Sequence, residues 1–202
     1  MTQAGFRLYP GYLTAHAQRA LVDAAFEAAE DAPFYRPMTP MGRPMSVEMT
    51  NLGPLGWVTD ASGYRYERRH PVTGRAWPAM PLALLDLWRA LSGAPADADC
   101  CLVNLYRDGA RMGLHQDRDE ADFSFPVLSV SLGDTAVFRL GGASRRAPSR
   151  TLRLASGDVC LLAGEARLAL HGVDRVLAGS SRLIPGGGRL NLTLRRAAPV
   201  DL

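Results

Sequence analysis

The chain has 202 residues, 47% hydrophobic and 21% charged, with a net charge of +3; these are the proportions of a single globular domain with material for a sizeable core. All 23 basic residues are arginine, which excludes a Schiff-base lysine and a phosphate-loop lysine and leaves any carboxylate or phosphate partner to guanidinium forks. Cys100, Cys101 and Cys160 offer no CxxC spacing and a poor disulfide framework, so a cysteine zinc site is not expected and a reducing compartment, the cytoplasm, is.

From the N-terminus, Met1 to Pro10 carries no apolar run behind basic residues, so no secretory signal is expected. Nor is any stretch long and uncharged enough to cross a bilayer. Thr14 reads as an N-cap for a helix over residues 15–30, with Ala17, Leu21, Ala25 and Ala28 at helical spacing and Pro33 closing it. Residues 33–78 are rich in Pro, Gly, Tyr and Arg without helical periodicity and read as short strands and loops, a flexible cover rather than a core. A second helix is predicted over 81–91, with Leu84, Leu85 and Trp88 on one side and Ser92-Gly93 as its stop. From Cys100 onward the pattern turns to short strands. Residues 102–106 precede the turn pair Asp108-Gly109, and 127–132 and 135–140 flank Gly133-Asp134, a hairpin signal. Residues 152–155 and 159–163 flank Ser156-Gly157-Asp158, and 189–196 form the last strand. Short strands at this spacing predict a sandwich or closed barrel with helices leading in.

Leu114-His115-Gln116-Asp117 places an imidazole and a carboxylate two residues apart, on one side of an extended strand. Of the other histidines, His16 sits in the first helix and His70 in an arginine-rich loop, where an exposed structural role is expected. His171, before Gly172, can return to the same pocket. Two histidines and one carboxylate are the ligands of non-heme iron(II) oxygenases, but zinc hydrolases use them too, so the triad does not choose between metals. The segment Arg189-Leu190-Asn191-Leu192-Thr193-Leu194-Arg195 alternates strictly, leucines on one face and Arg, Asn, Thr and Arg on the other. Arginines beside a metal suit a dianionic cosubstrate, held by paired hydrogen bonds, and Asn104 and Tyr106, on one face of an earlier strand, can add donors.

Together with Met45-Ser46-Val47, Leu55-Gly56-Trp57, Trp77-Pro78-Ala79-Met80-Pro81, Asn104-Leu105-Tyr106, Ser129-Val130-Ser131-Leu132-Gly133 and His171-Gly172, these segments resemble the AlkB family of iron(II)- and 2-oxoglutarate-dependent nucleic-acid demethylases over roughly 33–196. The resemblance implies a mainly β protein with flanking helices (α+β): a double-stranded β-helix (jelly roll) core over about 100–202, and helices and a nucleotide-recognition cover over about 1–99, within one domain. It implies His115, Asp117 and His171 as iron ligands, and Arg189 and Arg195 holding the two ends of 2-oxoglutarate with Asn104, Tyr106 and Asn191 assisting. Trp57 and Tyr64 match residues that contact a flipped base or its backbone, with His115 on the opposite face of the base; Asp119 matches a carboxylate that senses the lesion's positive charge, and Arg111 and Met49 complete the substrate-binding set.

The implied reaction is oxidative demethylation of 1-methyladenine and 3-methylcytosine in single- or double-stranded DNA, with RNA left open, by a monomer using Fe(II), 2-oxoglutarate and O2. Such bases are cationic and unpaired, hence easy to extrude and to hold between aromatic rings. Arginines 65, 68, 69, 75, 145, 146 and 150 can track phosphates or form a solvated surface. Arg111 and Arg118 stand where bacterial members carry lysine, and Leu162 stands where an aromatic is expected. The competing readings are a 2-oxoglutarate-dependent hydroxylase of a protein or small molecule, a non-catalytic damage binder, and a zinc hydrolase.

Overall fold

The computed structural model describes residues 4–199. In chain order its elements are β1 (Phe6–Tyr9), α1 (Ala15–Asp31), β2 (Glu48–Leu52), β3 (Gly56–Asp60), β4 (Gly63–Glu67), α2 (Leu82–Ser92), β5 (Cys100–Tyr106), β6 (Met112–His115), β7 (Val127–Gly133), β8 (Thr135–Leu140), β9 (Arg150–Leu154), β10 (Val159–Leu162), β11 (His171–Leu177) and β12 (Arg189–Arg195). Both helices keep their predicted limits to within a residue. The Thr14 hydroxyl accepts from the Ala17 amide to start α1, and Gly93, at φ 65°, closes α2 in the left-handed conformation that glycine adopts without strain.

The strands form a six-stranded sheet, β1-β10-β7-β12-β5-β2, and a four-stranded sheet, β6-β11-β8-β9, while β3 and β4 pair only with each other. All pairings are antiparallel. From β5 to β12 the chain passes repeatedly from one sheet to the other, winding the expected double-stranded β-helix. Alternation within each strand divides the apolar residues. Leu190, Leu192 and Leu194, with Leu128, Val130, Leu132, Val103 and Leu161, pack on one face of the large sheet against Leu21, Val22 and Ala25 of α1 and Leu84, Leu87 and Trp88 of α2. A second core of Val127, Leu102, Tyr106, Cys160, Leu162, Phe138, Leu140 and Val173 lies between the sheets. The polar residues of β12 share that inner face.

Three expectations need correction. Gly133-Asp134 does not make a hairpin: β7 pairs with β10 and β12, whereas β8 pairs with β9 and β11. The turn is a corner between sheets. Asp134 is buried there and accepts hydrogen bonds from the amides of Gly179, Ser181 and Gly188 and from the Ser180 hydroxyl, so its carboxylate gathers the distant loop 178–188 into the corner. Next, the division near residue 100 does not follow the sheet: β1 and β2 precede it yet form the two edges of the large sheet, pairing with the outer edges of β10 and β5. Finally, His70 is buried, not exposed. Its Nε2 meets the Pro33 carbonyl at 2.8 Å, its Nδ1 accepts from the Val72 and Thr73 amides, and its ring packs on Tyr35 and Trp77. All three thiols are free and buried, and burial pushes Cys100 and Cys160 up to about 12.

Asp134→Ala should strand these donors and lower unfolding free energy by about 2–4 kcal/mol, read as a fall in the urea midpoint; an unchanged midpoint would reject the corner assignment.

Candidate metal and cosubstrate site

Strand β6 ends on His115, and Asp117 lies just past its end, where the chain leaves the small sheet. Strand β11 begins on His171, whose Cα partner across β6 is His115. Two neighbouring strand ends thus deliver both imidazoles, with ring centroids 4.5 Å apart, and the following turn delivers the carboxylate. Asp117 Oδ1 lies 3.7 Å from His115 Nε2 and Oδ2 lies 3.7 Å from His171 Nε2. One ligand atom from each residue falls within 4.8 Å of the others, a span that one ion with bonds of about 2.1 Å can bridge after slight contraction. Each Nδ1 lies 2.9 Å from a backbone carbonyl, Gly113 for His115 and Ala169 for His171. Those acceptors place the proton on Nδ1 and leave both Nε2 lone pairs facing Asp117. Burial holds the His171 imidazole down to about 4 against the opposing pull of Asp117, so it is neutral, as a ligand must be. Burial pushes the Asp117 carboxyl up, but Arg195, His171 and His115 together outweigh it and hold it below the usual carboxylate range.

The triad opens on a cavity of about 600 Å³ between the sheets. Register places the cosubstrate candidates side by side on the large sheet: Arg189 opposite Tyr106, Asn191 opposite Asn104 on β5 and Ser131 on β7, and Thr193 opposite Ser129. Asn104, Tyr106, Asn191 and Arg195 line the cavity, whereas Arg189 is buried beside Tyr106 and is not part of the lining. The two arginines differ in kind. Arg195 binds Asp117 at 2.8 Å and Glu120 at 3.3 Å. Arg189 is 1% exposed and has no carboxylate partner among the described residues; its Nη2 donates to the Ser131 hydroxyl at 2.9 Å and its Nη1 reaches the Leu154 carbonyl at 3.5 Å. Its Nε and the nearby Asn104 Oδ1 are buried without partners. Burial lowers the Arg189 pKa, as expected of a cation removed from water without a matching anion. Burial also pushes the Tyr106 hydroxyl up to about 12, keeping it a donor. Arg189, Tyr106 and Asn104 are thus a polar end suited to a carboxylate.

At the mouth, Trp57 donates its indole N–H to Asp119 at 2.8 Å and stacks on Tyr64, with centroids 5.6 Å apart and planes 18° from parallel. Trp57, Tyr64, Asp119, Met49 and Leu162 all line the cavity. Asn51 fixes the Trp57 backbone from β2, accepting from its N–H and donating to its C=O. Arg111 is exposed outside the cavity lining, its backbone tied to the Ser46 hydroxyl. Three of the other arginines are engaged with protein groups: Arg65 with Asp60 and Glu67, Arg75 with Asp31, and Arg69 with the Gly74 carbonyl. Arg145 lines the cavity.

The sequence reading missed Glu120 and Arg167. Both are buried and paired at 2.9 Å, and Arg167 also donates to the carbonyls of Asp117 and Phe125 at 2.6 and 2.7 Å. Glu120, three residues from Asp117, carries the only hint, and nothing local marks Arg167.

The model of the 2OG-Fe(II) oxygenase superfamily matches residues 5–195, which sets the class: an iron(II)- and 2-oxoglutarate-dependent dioxygenase. The chain is 68% identical over 193 residues to the alpha-ketoglutarate-dependent dioxygenase AlkB homolog of Caulobacter vibrioides, covering 96% of this chain and 88% of that one. It is 41% identical to AlkB of Escherichia coli K12, over 90% and 86% of the two chains. It is 29% identical to the DNA N(6)-methyladenine demethylase ALKBH1D of Arabidopsis thaliana, over 95% and 49%. The solved structure of OsALKBH1 superposes with a TM-score of 0.79 at 30% identity, covering 96% and 99%. The chain belongs to the AlkB family of alpha-ketoglutarate-dependent dioxygenases. Fe(II), 2-oxoglutarate and O2 are accordingly its cofactor and cosubstrates, and the facing imidazoles, the ionised Asp117 and the unmatched Arg189 fit them.

Asp117→Ala should weaken Mn(II) binding at least about tenfold in calorimetry; parental affinity in that variant would reject the ligand set. Arg189→Gln should weaken 2-oxoglutarate binding roughly 100-fold, about 3 kcal/mol. A change under about threefold would place the carboxylate elsewhere.

Proposed function

We propose that this cavity removes methyl groups from ring nitrogens of bases in DNA, of the 1-methyladenine and 3-methylcytosine type. The observation that carries this reading is the Trp57–Asp119 pair, which lines the same cavity as the His115, Asp117 and His171 triad. A methylated ring nitrogen gives a flat, cationic heterocycle. An indole face offers it stacking and cation–π attraction, and a carboxylate beside that indole adds charge complementarity. His115, its side chain 40% exposed, supplies a second ring on the metal side.

In this reading His115, Asp117 and His171 hold iron, Arg189 with Tyr106 and Asn104 holds the distal carboxylate of 2-oxoglutarate, and Arg195 and Asn191 steady the end nearer the metal. Bound together, iron, 2-oxoglutarate and O2 supply the oxidation of the methyl carbon, with succinate and carbon dioxide as co-products; the hydroxylated methyl group then leaves as formaldehyde. The protein's part is to orient the base, to exclude water from the inner end and to keep Asp117 ionised. Met49, Leu162 and Val173 give that end its apolar wall and Arg145 gives the mouth a cation. The protein acts as a monomer in this reading, and the free thiols suit the cytoplasm.

The test is formaldehyde and succinate release from a methylated oligodeoxynucleotide, with an unmodified one and a methylated RNA alongside. Release in equal amounts is expected from methylated DNA; none would remove the reading. Trp57→Ala should raise KM for the oligonucleotide roughly tenfold, the worth of one stacked base. Its 2-oxoglutarate affinity should stay within about twofold, a change too small for a lost contact.

A further inference from the structure

Glu120 lines the cavity beside Arg195, with its side chain 1% exposed and both oxygens engaged. Oε1 accepts the Tyr66 hydroxyl at 2.6 Å and faces Arg195 Nε at 3.3 Å, and Oε2 accepts Arg167 Nη2 at 2.9 Å. Arg195 continues to the Asp117 carboxylate at 2.8 Å, and Arg167 to the Asp117 carbonyl at 2.6 Å. Tyr66 lies on β4, with Trp57 as its Cα partner across the hairpin. A continuous buried chain therefore joins the strand pair that presents the aromatic face to Asp117: hydrogen bonds run from Tyr66 through Glu120 and Arg167 to its carbonyl, and an ion pair from Glu120 to Arg195 leads on to its carboxylate. Charge-assisted bonds this short, away from water, are stiff, and moving one member costs its neighbours.

We propose that Tyr66 and Glu120 are positioning residues that couple the β3–β4 hairpin to Asp117 and Arg195, so that a methylated base and 2-oxoglutarate each bind more tightly when the other is present. This rests on the substrate reading above. Arg195 serves two carboxylates, and its placement depends on how firmly Glu120 is held. Tyr66 holds Glu120 from the hairpin and Arg167 holds it from the opposite side. A base that presses on Trp57 and steadies the hairpin steadies Tyr66, and through Glu120 the guanidinium. Linkage then requires the reverse effect to be of equal size.

The experiment uses Mn(II) in place of iron, so that no turnover occurs. Affinity for an oligodeoxynucleotide carrying a single 1-methyladenine is measured with and without 2-oxoglutarate. The parent should bind more tightly with 2-oxoglutarate, and in Tyr66→Phe that gain should shrink at least about threefold, the reach of one hydrogen bond. With iron and O2, the ratio of succinate to formaldehyde should rise by about the same factor in the variant, whereas a merely destabilised enzyme loses both products together. Glu120→Gln repeats the comparison if the tyrosine variant folds poorly. Linkage equal to the parent's in either folded variant, or no linkage in the parent, overturns the proposal. A parent that releases no formaldehyde instead overturns the substrate reading and leaves the linkage result to stand alone.

Discussion

A guanidinium taken out of water must be met by anions or well-placed acceptors, and β12 buries two of them six residues apart. The two are met in opposite ways. Arg195 is matched within the protein by Asp117 and Glu120. Arg189 has one firm hydrogen bond, to Ser131, and no carboxylate partner among the described residues. A stable fold tolerates the first arrangement readily; the second makes sense where a bound anion completes it. The difference gives the inner face of β12 a direction, with the charge-balanced Arg195 beside Asp117 and the charge-deficient Arg189 beside Tyr106 and Ser131.

That direction depends on the sheet. The leucines of β12 are committed to the helix-facing core, so its polar residues cannot turn away from the inter-sheet space without exposing Leu190, Leu192 and Leu194. The register with β5 and β7 then sets Asn104, Tyr106, Ser129 and Ser131 beside them. Helices α1 and α2, which do not line the cavity, fix the β12 wall by burying its reverse face.

What could be read in advance follows from how local the signal was. Strict alternation in 189–195 and capping at Thr14 and Gly93 are properties of neighbouring residues, and the strand and helix limits followed from them. The turn at Gly133-Asp134 misled because glycine before aspartate signals a sharp reversal without saying which strands it joins. The partner that decides, loop 178–188, is more than forty residues away. Strand β2 looked like cover because Glu48–Leu52 mixes polar and apolar residues, and only its pairing with β5 makes it sheet. His70 looked exposed among arginines, while its acceptor, the Pro33 carbonyl, lies 37 residues earlier. For the site, the triad, the arginines and Trp57 were legible as residue types. That one arginine is ion-paired and the other is not was not legible, since both occupy equivalent places in the alternation.

The segment Asp117-Arg118-Asp119-Glu120 shows how chemistry and recognition share so little chain. Just past the end of β6, its three acids point three ways: Asp117 to the imidazoles and Arg195, Asp119 to the Trp57 indole, and Glu120 inward to Tyr66 and Arg167. Trp57 and Tyr66 are cross-strand partners in one hairpin, so Asp119 and Glu120 grip that hairpin at paired positions while Asp117, two residues earlier, belongs to the metal site. A β3–β4 unit that pairs with neither main sheet would otherwise be poorly fixed over the cavity. Here the segment that carries the triad's carboxylate also anchors the aromatic face, so the separation of Trp57 from the His115, Asp117 and His171 cluster is set within four residues rather than across the whole fold.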